Sequence, residues 1–280
     1  MSGISLPVPG GHEFLYTLRD FQQVRRLLYG RTGISLSESK QQMVYSRLSR
    51  RLRALRLQSF GEYFGYLEGH AEEWQQFVNA LTTNLTAFFR EPHHFQTLAE
   101  LALRQARSHR PLRFWSAASS TGEEPYSMAM SLLDALGPDA PVRILASDID
   151  TGVLETAERG IYPLERVEAL ALAQKQRFFL RGRGPNAGKV RVAEELRRLV
   201  AFRQINLLDD AWGVPGELDA IFCRNVMIYF DKPTQARLLE RMVRLLRPGG
   251  LFFAGHSESF VHATHLVRAV GRSTYQVAGR

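Results

Sequence analysis

The stretch LRFWSAASSTGEEPYSMAMSLLDAL, residues 112–136, reads as strand, turn and helix in direct succession. Leu112 to Ser116 is a short apolar run, a small-residue turn follows, and Glu123 to Leu136 has helical composition. The same order returns in Val142–Ser147 and Thr151–Arg159. Such βα alternation predicts a parallel sheet with right-handed crossovers. Beyond it, Leu218–Cys223 reads as a strand, Pro233–Leu246 as a helix stopped by Pro248-Gly249-Gly250, and Leu251–Gly255 as another strand. Between Gly160 and Asn206 the rhythm breaks. There Gln176–Leu180, Val190–Val192 and Leu199–Gln204 flank the turn-rich RGRGPNAGK (181–189), which predicts an antiparallel insertion.

The chain has 280 residues, 45% hydrophobic and 23% charged, which excludes disordered and collagen-like classes. At about 150 residues per domain, this length suits two domains or one large one. Thirty-six Lys and Arg against 28 Asp and Glu leave a net charge of +8, so the expected partner surface is acidic. The single cysteine, Cys223, can form no intramolecular disulfide and no Cys-based metal site. That usage, the lack of an 18-residue apolar run and the lack of a signal-like N-terminus predict a cytoplasmic protein without membrane insertion.

Residues 1–81 read as a helical domain, with 82–110 as a linker and connecting helix and 111–280 as an α/β domain carrying the insertion at about 161–205. In the helical part, Val44, Leu48, Leu52 and Leu55 form one apolar stripe between Glu38 and Leu57. The other faces carry Lys40, Arg47, Arg50, Arg51, Arg53 and Arg56, with no acid between Glu38 and Glu62. A solvated charged face and an anion-docking helix are both compatible with that run.

In an open α/β sheet, ligands lie beyond the carboxyl ends of the strands. Four places stand there. The turn before Glu123 and Glu124 has one glycine, Gly122, so it is no dinucleotide fingerprint; Glu123 suits an ammonium group, or both acids simply favour a helix start. Asp148 ends a strand where an acid accepts ribose hydroxyls, while Asp150 suits the N-cap of the next helix. Asn206 and Leu207 follow a strand and suit an adenine edge and face. Arg224 and Asn225 follow another, ahead of Tyr229 and Phe230. Together these places describe S-adenosylmethionine better than a dinucleotide. His93 and His94, adjacent on a helix, should point about 100° apart and share no ion, so no metal is expected.

The segments LTTNLTAFFREPHHF (81–95), SAASSTGEEPYSMAM (116–130), SDID (147–150), NLL (206–208), FCRNVMIYFDKPTQ (222–235) and LRPGGLFFAGHSES (246–259) closely resemble the CheR family of chemoreceptor glutamate O-methyltransferases. The resemblance implies a Rossmann-like methyltransferase domain behind an all-α N-terminal domain. It implies S-adenosylmethionine as cofactor, S-adenosylhomocysteine as product, and cytoplasmic receptor helices as partners of a monomeric enzyme. By it, Asn84, Thr86, Arg90, Glu123, Asp148, Asn206, Leu207, Arg224 and Asn225 correspond to cofactor contacts, and Arg90 and Tyr229 to residues beside the transferred methyl. The insertion resembles that of relatives that tether to a receptor's C-terminal pentapeptide. This implies docking through Arg181, Arg183, Gly184 or Arg197, beside the basic helix with Arg47, Arg50, Arg51 and Arg53.

A glutamate with a pKa of about 4.3 is ionised at neutral pH and needs no general base to attack a sulfonium methyl. A nucleic-acid methyltransferase would also suit the charge. However, amino-methylating enzymes typically carry an Asn/Asp-Pro-Pro-aromatic site after the fourth strand, and this chain reads Arg-Asn-Val-Met. A receptor-docking module without catalysis is the third reading.

Overall fold

A capping box opens helix α1 (Leu18–Thr32): the Thr17 hydroxyl accepts from the Asp20 amide, and the Asp20 carboxylate accepts from the Thr17 amide. In the computed structural model, which describes residues 13–106, 110–260 and 263–278, α1 ends at Gly33 with a φ of 70°. That left-handed cap suits a residue without Cβ. Helices α2 (Gln41–Leu55), α3 (Phe60–Gly69) and α4 (Ala71–Leu81) follow. Val44, Leu48 and Leu52 of the expected stripe are buried, while Leu55 is half-buried.

The basic face of α2 needs a correction. Glu73, buried on α4, accepts from Arg51 Nε and Nη2 at 2.9 and 2.6 Å and from the Tyr63 hydroxyl at 2.8 Å. Arg51 thus compensates a buried charge and is no free docking group. Arg47 donates to the Ala80 and Thr82 carbonyls, and Arg53 pairs with Glu13 at 2.8 Å on the surface. Arg50 and Arg53 remain exposed.

The chain forms two compact units. One comprises the residues through Thr83 together with Tyr229–Asp231; the other runs from Asn84 to Ile228 and from Lys232 onward. Two hydrogen bonds tie the returning segment to the helices: Ser35 N–H donates to the Tyr229 carbonyl at 2.8 Å, and the Tyr29 hydroxyl to Asp231 at 2.5 Å.

The second unit contains α5 (His93–Ala106), β1 (Leu112–Ser116), α6 (Glu123–Leu136), β2 (Val142–Asp148) and α7 (Thr151–Arg159). Next come β3 (Ile161–Pro163), α8 (Leu172–Phe178), β4 (Phe179–Arg181), β5 (Lys189–Val192), α9 (Glu194–Arg197) and β6 (Val200–Gln204). It closes with β7 (Leu218–Phe222), α10 (Lys232–Val243), β8 (Leu246–Phe253), β9 (Val267–Gly271) and β10 (Thr274–Val277). The main sheet has the order β6-β2-β1-β7-β8-β10-β9, parallel except for β10, which runs antiparallel to both β8 and β9. Successive strands move outward from β1 to β6, then return beside β1 at β7. The carboxyl ends of β1, β2 and β7 therefore surround a topological switch point, where α/β sheets bind ligands.

Three expectations change. Val200–Gln204 is not part of the antiparallel insertion: β6 pairs parallel with β2, Ile144 opposite Val200. A parallel neighbour needs a long crossover, and α7 with the insertion supplies it. The separate sheet, β3-β5-β4, is antiparallel. Of Gln176–Leu180, the first part completes α8, and only Phe179 and Leu180 are extended, in β4. Finally, α10 ends at Val243, and Pro248-Gly249-Gly250 lie inside β8. The β7–β8 register shifts there, from Leu218 opposite Leu246 to Ala220 opposite Leu251, so the motif forms a bulge, which tolerates a proline in a strand. Among the described residues, no helix is long and apolar enough to cross a membrane.

Candidate active site

The turn after β1 and the end of β2 are stitched together by one carboxylate. Asp148, only 8% exposed, accepts from the Ser120 amide at 2.9 Å through Oδ2 and from the Asp150 amide at 3.0 Å through Oδ1. Burial pushes its pKa up to about 6, against the pull of those amides. The Ile149 amide adds a third pull, and since a carboxylate offers about four lone-pair sites, acceptor capacity remains for a ligand hydroxyl. Asp150 caps α7, accepting from the Gly152 and Val153 amides, and its other oxygen takes the Asn84 side-chain amide at 2.8 Å. The Asn84 carbonyl accepts in turn from Ser120 Oγ at 3.4 Å. Gly122, at φ +96°, closes the turn where a Cβ would meet Ala157 Cβ at 2.8 Å and the Tyr162 hydroxyl at 2.9 Å.

Glu123 is wholly buried at the start of α6. Thr121 Oγ1 donates to its Oε2 at 2.6 Å, and Arg166 Nη2 stands 3.1 Å from Oε1, an ion-pair contact without hydrogen-bond alignment. The cation beside this acid is thus a guanidinium from the insertion, which also donates to the Thr86 carbonyl at 3.2 Å. No local pattern marked Arg166, because its partners lie 43 and 80 positions away.

Arg224 requires a correction as a ligand-contacting side chain. It is 1% exposed and donates to Glu124 Oε2 at 3.0 Å and to the Arg90 carbonyl, lies 3.4 Å from Glu91 Oε2, and sits over the Phe95 and Phe222 rings. Its side chain holds the Arg90–Glu91 turn against α6 and is a positioning group. Arg90 is half-buried and donates to the Leu85 carbonyl at 2.8 Å. Phe89 and Glu91 flank it at φ +54° and +59°, the kind of strain that collects at functional turns.

Asn225, at φ +58°, begins the next turn, and its amide donates to Glu258 at 2.9 Å. Buried Glu258 also accepts from the Gly255 amide at 2.6 Å and the Ile228 amide at 3.4 Å, while burial raises its pKa. A Cβ at Gly255 would lie 2.2 Å from Asn225 Nδ2, so this close approach requires glycine. Asn206 Oδ1 accepts from the Leu208 amide at 3.0 Å, and Leu207 is buried beside it with its carbonyl accepting from Trp212 Nε1.

The adjacent histidines also depart from expectation. Their ring centroids are 4.1 Å apart, and with Glu91 they bring three ligand-type atoms within 4.8 Å of one another. His93 and His94 stand in the first turn of α5. The positive charge at this cluster comes from Arg224, 3.4 Å from Glu91. Burial and that guanidinium push the His94 pKa down to about 3.

A family model described as "CheR methyltransferase, SAM binding domain" matches residues 84–276, and one described as "CheR methyltransferase, all-alpha domain" matches residues 19–82. The chain belongs to the CheR methyltransferase family. It is 71% identical, over 97% of its length and 98% of the relative's, to "Chemotaxis protein methyltransferase 2" of Pseudomonas aeruginosa. Identity to the chemotaxis protein methyltransferases of Salmonella typhimurium and Escherichia coli is 55% and 53%, each over 92% of this chain and 90% of theirs. As a CheR protein it is a methyltransferase with S-adenosylmethionine as cofactor and S-adenosylhomocysteine as product. The donor set fits that group: a buried acid with spare acceptor capacity ends β2 beside the turn that follows β1.

Proposed function

We propose that this chain methylates glutamate side chains on the cytoplasmic helices of chemoreceptors, giving glutamyl methyl esters. The observation that carries this reading is the CheR match across both domains, residues 19–82 and 84–276. Asn84, Thr86, Arg90, Glu123, Asp148, Asn206, Leu207 and Asn225 hold the cofactor, Asp148 through the ribose hydroxyls. Arg90 and Tyr229 stand beside the reacting carboxylate, and Arg224 acts through the Arg90 backbone.

When bound, S-adenosylmethionine supplies a methyl on a positively charged sulfur. The chain's residues align and dehydrate the partners, since an ionised glutamate needs no base and the two charges cancel as the bond forms. A cation gripping the carboxylate too tightly would stabilise the ground state more than the transition state. Arg90, already donating to the Leu85 carbonyl, is therefore a positioning donor, and Tyr229 a neutral one. Arg90→Ala and Tyr229→Phe are expected to lower methyl transfer at least tenfold, more than either weakens cofactor binding, with Arg90→Ala lowering both. Normal turnover by both variants would remove these assignments. The activity itself is tested with radiolabelled S-adenosylmethionine and receptor fragments: label released by mild alkali reports esters, and alkali-stable label refutes them.

Arg50 and Arg53 on α2 are the exposed cations for an acidic receptor helix. A second contact is the free edge of the small sheet. Among the described residues β4 pairs with β5 alone, Leu180 on it is 62% exposed, and Arg181 and Arg183 are exposed beside it. Such an edge can add a receptor's C-terminal pentapeptide through main-chain hydrogen bonds. Arg197 is not part of this contact, because Glu194 and the Glu158 carbonyl hold it. Titration with an aromatic-acidic pentapeptide should give saturable heat; none up to about 1 mM, the weak end of specific binding, would rule the tether out.

A further inference from the structure

We propose that a pocket on the helical unit is a carboxylate subsite for the protein substrate, linked by direct hydrogen bonds to the segment that carries Tyr229. The inference rests on the glutamate-methylating reading above and adds a recognition element to it. The pocket, about 360 Å³, is lined by Gln22, Arg25, Arg26, Tyr29, Ser35 and Leu36. The first four stand at i, i+3, i+4 and i+7 on α1 and so share one helix face. Ser35 and Leu36 come from the stretch that follows the helix.

The chemistry of the lining selects an anion. It offers two guanidinium groups, a side-chain amide and the Ser35 hydroxyl, with buried Leu36 as an apolar element, while the Tyr29 hydroxyl is already given to Asp231. No lining residue is acidic. Glu38 is the acid paired with Arg25, at 4.0 Å and with its side chain 90% exposed, a pairing that leaves most of the positive charge available. Arg26 donates to the neutral Gln23 amide oxygen.

A carboxylate suits the pocket better than a phosphate. Phosphate sites recruit free backbone amides at helix starts or in glycine-rich loops. Residues 22–29 lie inside α1, where the amides serve the helix's own ladder. From α1 only side-chain donors remain, and the arginine fork matches the two oxygens of a carboxylate. The occupant is a Glu or Asp side chain on the receptor helix, distinct from the glutamate that is methylated.

The pocket wall is continuous with the returning segment. Tyr29 donates its hydroxyl to Asp231, and Ser35 donates its amide to the Tyr229 carbonyl. Both donors line the pocket, so an acid seated between Arg25 and Arg26 orders the wall that positions Tyr229. Binding energy from a remote part of the substrate is then used at the reacting residue, which raises kcat as well as lowering KM.

The test is steady-state methylation of an acidic receptor fragment by the full chain. Arg25→Gln with Arg26→Gln is expected to raise KM for the fragment at least tenfold, with S-adenosylmethionine affinity by calorimetry unchanged. Tyr29→Phe keeps the arginines and is expected to lower kcat at least threefold with KM within twofold. Polyglutamate should inhibit the wild type competitively and lose at least tenfold in potency on the double variant. Wild-type KM in the double variant, or wild-type kcat in Tyr29→Phe, overturns the subsite or its coupling respectively. Inorganic phosphate inhibiting more strongly than polyglutamate at equal ionic strength overturns the carboxylate assignment. A wild-type enzyme that leaves no alkali-labile label on the fragment refutes the parent reading instead.

Discussion

Arg224→Ala is expected to lower the melting temperature of the apo-protein by about 6–20 °C. The arginine side chain is 1% exposed and faces Glu124 at 3.0 Å and Glu91 at 3.4 Å. Removing one partner of a buried pair costs about 3–5 kcal/mol, because the remaining charge is left without compensation. For a unit of this size each kcal/mol moves the melting temperature by about 2–4 °C. Burial already raises the Glu124 pKa, and Arg224 is the main influence holding it down. Without the arginine that pKa rises further, so the folded variant takes up a proton more readily than its unfolded chain. Its deficit should therefore be larger at pH 8 than at pH 5. Calorimetry showing a melting temperature within 2 °C of wild type at pH 8 would contradict this account of the buried network.

The same residue shows what sequence reading could reach. The βα alternation from Leu112 to Arg159, the interrupted stretch after Gly160 and the strand-end position of Asp148 were all legible, because each rests on local periodicity or on an acid next to an apolar run. Arg224 was legible as a residue after a buried strand, but the direction of its side chain depends on Glu124, 100 positions earlier. Arg51 fails in the same way: its cationic neighbours are local, whereas its partner Glu73 arrives only when α2 packs on α4. Pro248-Gly249-Gly250 carries the composition of a helix stop and serves as a strand bulge, a difference set by pairing with β7. Nothing local ties Tyr229–Asp231 to α1, since the bonds that do so span some two hundred residues. Glu258 and Gly255 carry no local signal for a related reason: their role is to hold a turn that belongs to a different strand.

Asp148→Ala is expected to weaken S-adenosylmethionine binding at least a hundredfold while the chain stays folded. Two hydrogen bonds from ribose hydroxyls to an ionised carboxylate contribute about 1.5–3 kcal/mol each, or roughly tenfold or more in affinity apiece. The substitution also frees the Ser120 and Asp150 amides, which loosens the turn that receives the ligand. Global stability should suffer less. A carboxyl raised to about 6 is ionised at a cost in the folded state above that pH, and alanine removes the cost along with the bonds. Asp148→Asn separates the contributions, since it keeps an acceptor for one amide and loses the charge; an intermediate affinity is expected. The hydroxyl bonds favour the ionised form, so wild-type affinity should be flat above about pH 7 and fall as pH drops through 6, following the raised carboxyl. Asp148→Asn should lose that dependence. Calorimetry at pH 7.5 giving Asp148→Ala an affinity within twofold of wild type would remove Asp148 from the cofactor site. An unchanged pH dependence in Asp148→Asn would show that the titrating group lies elsewhere.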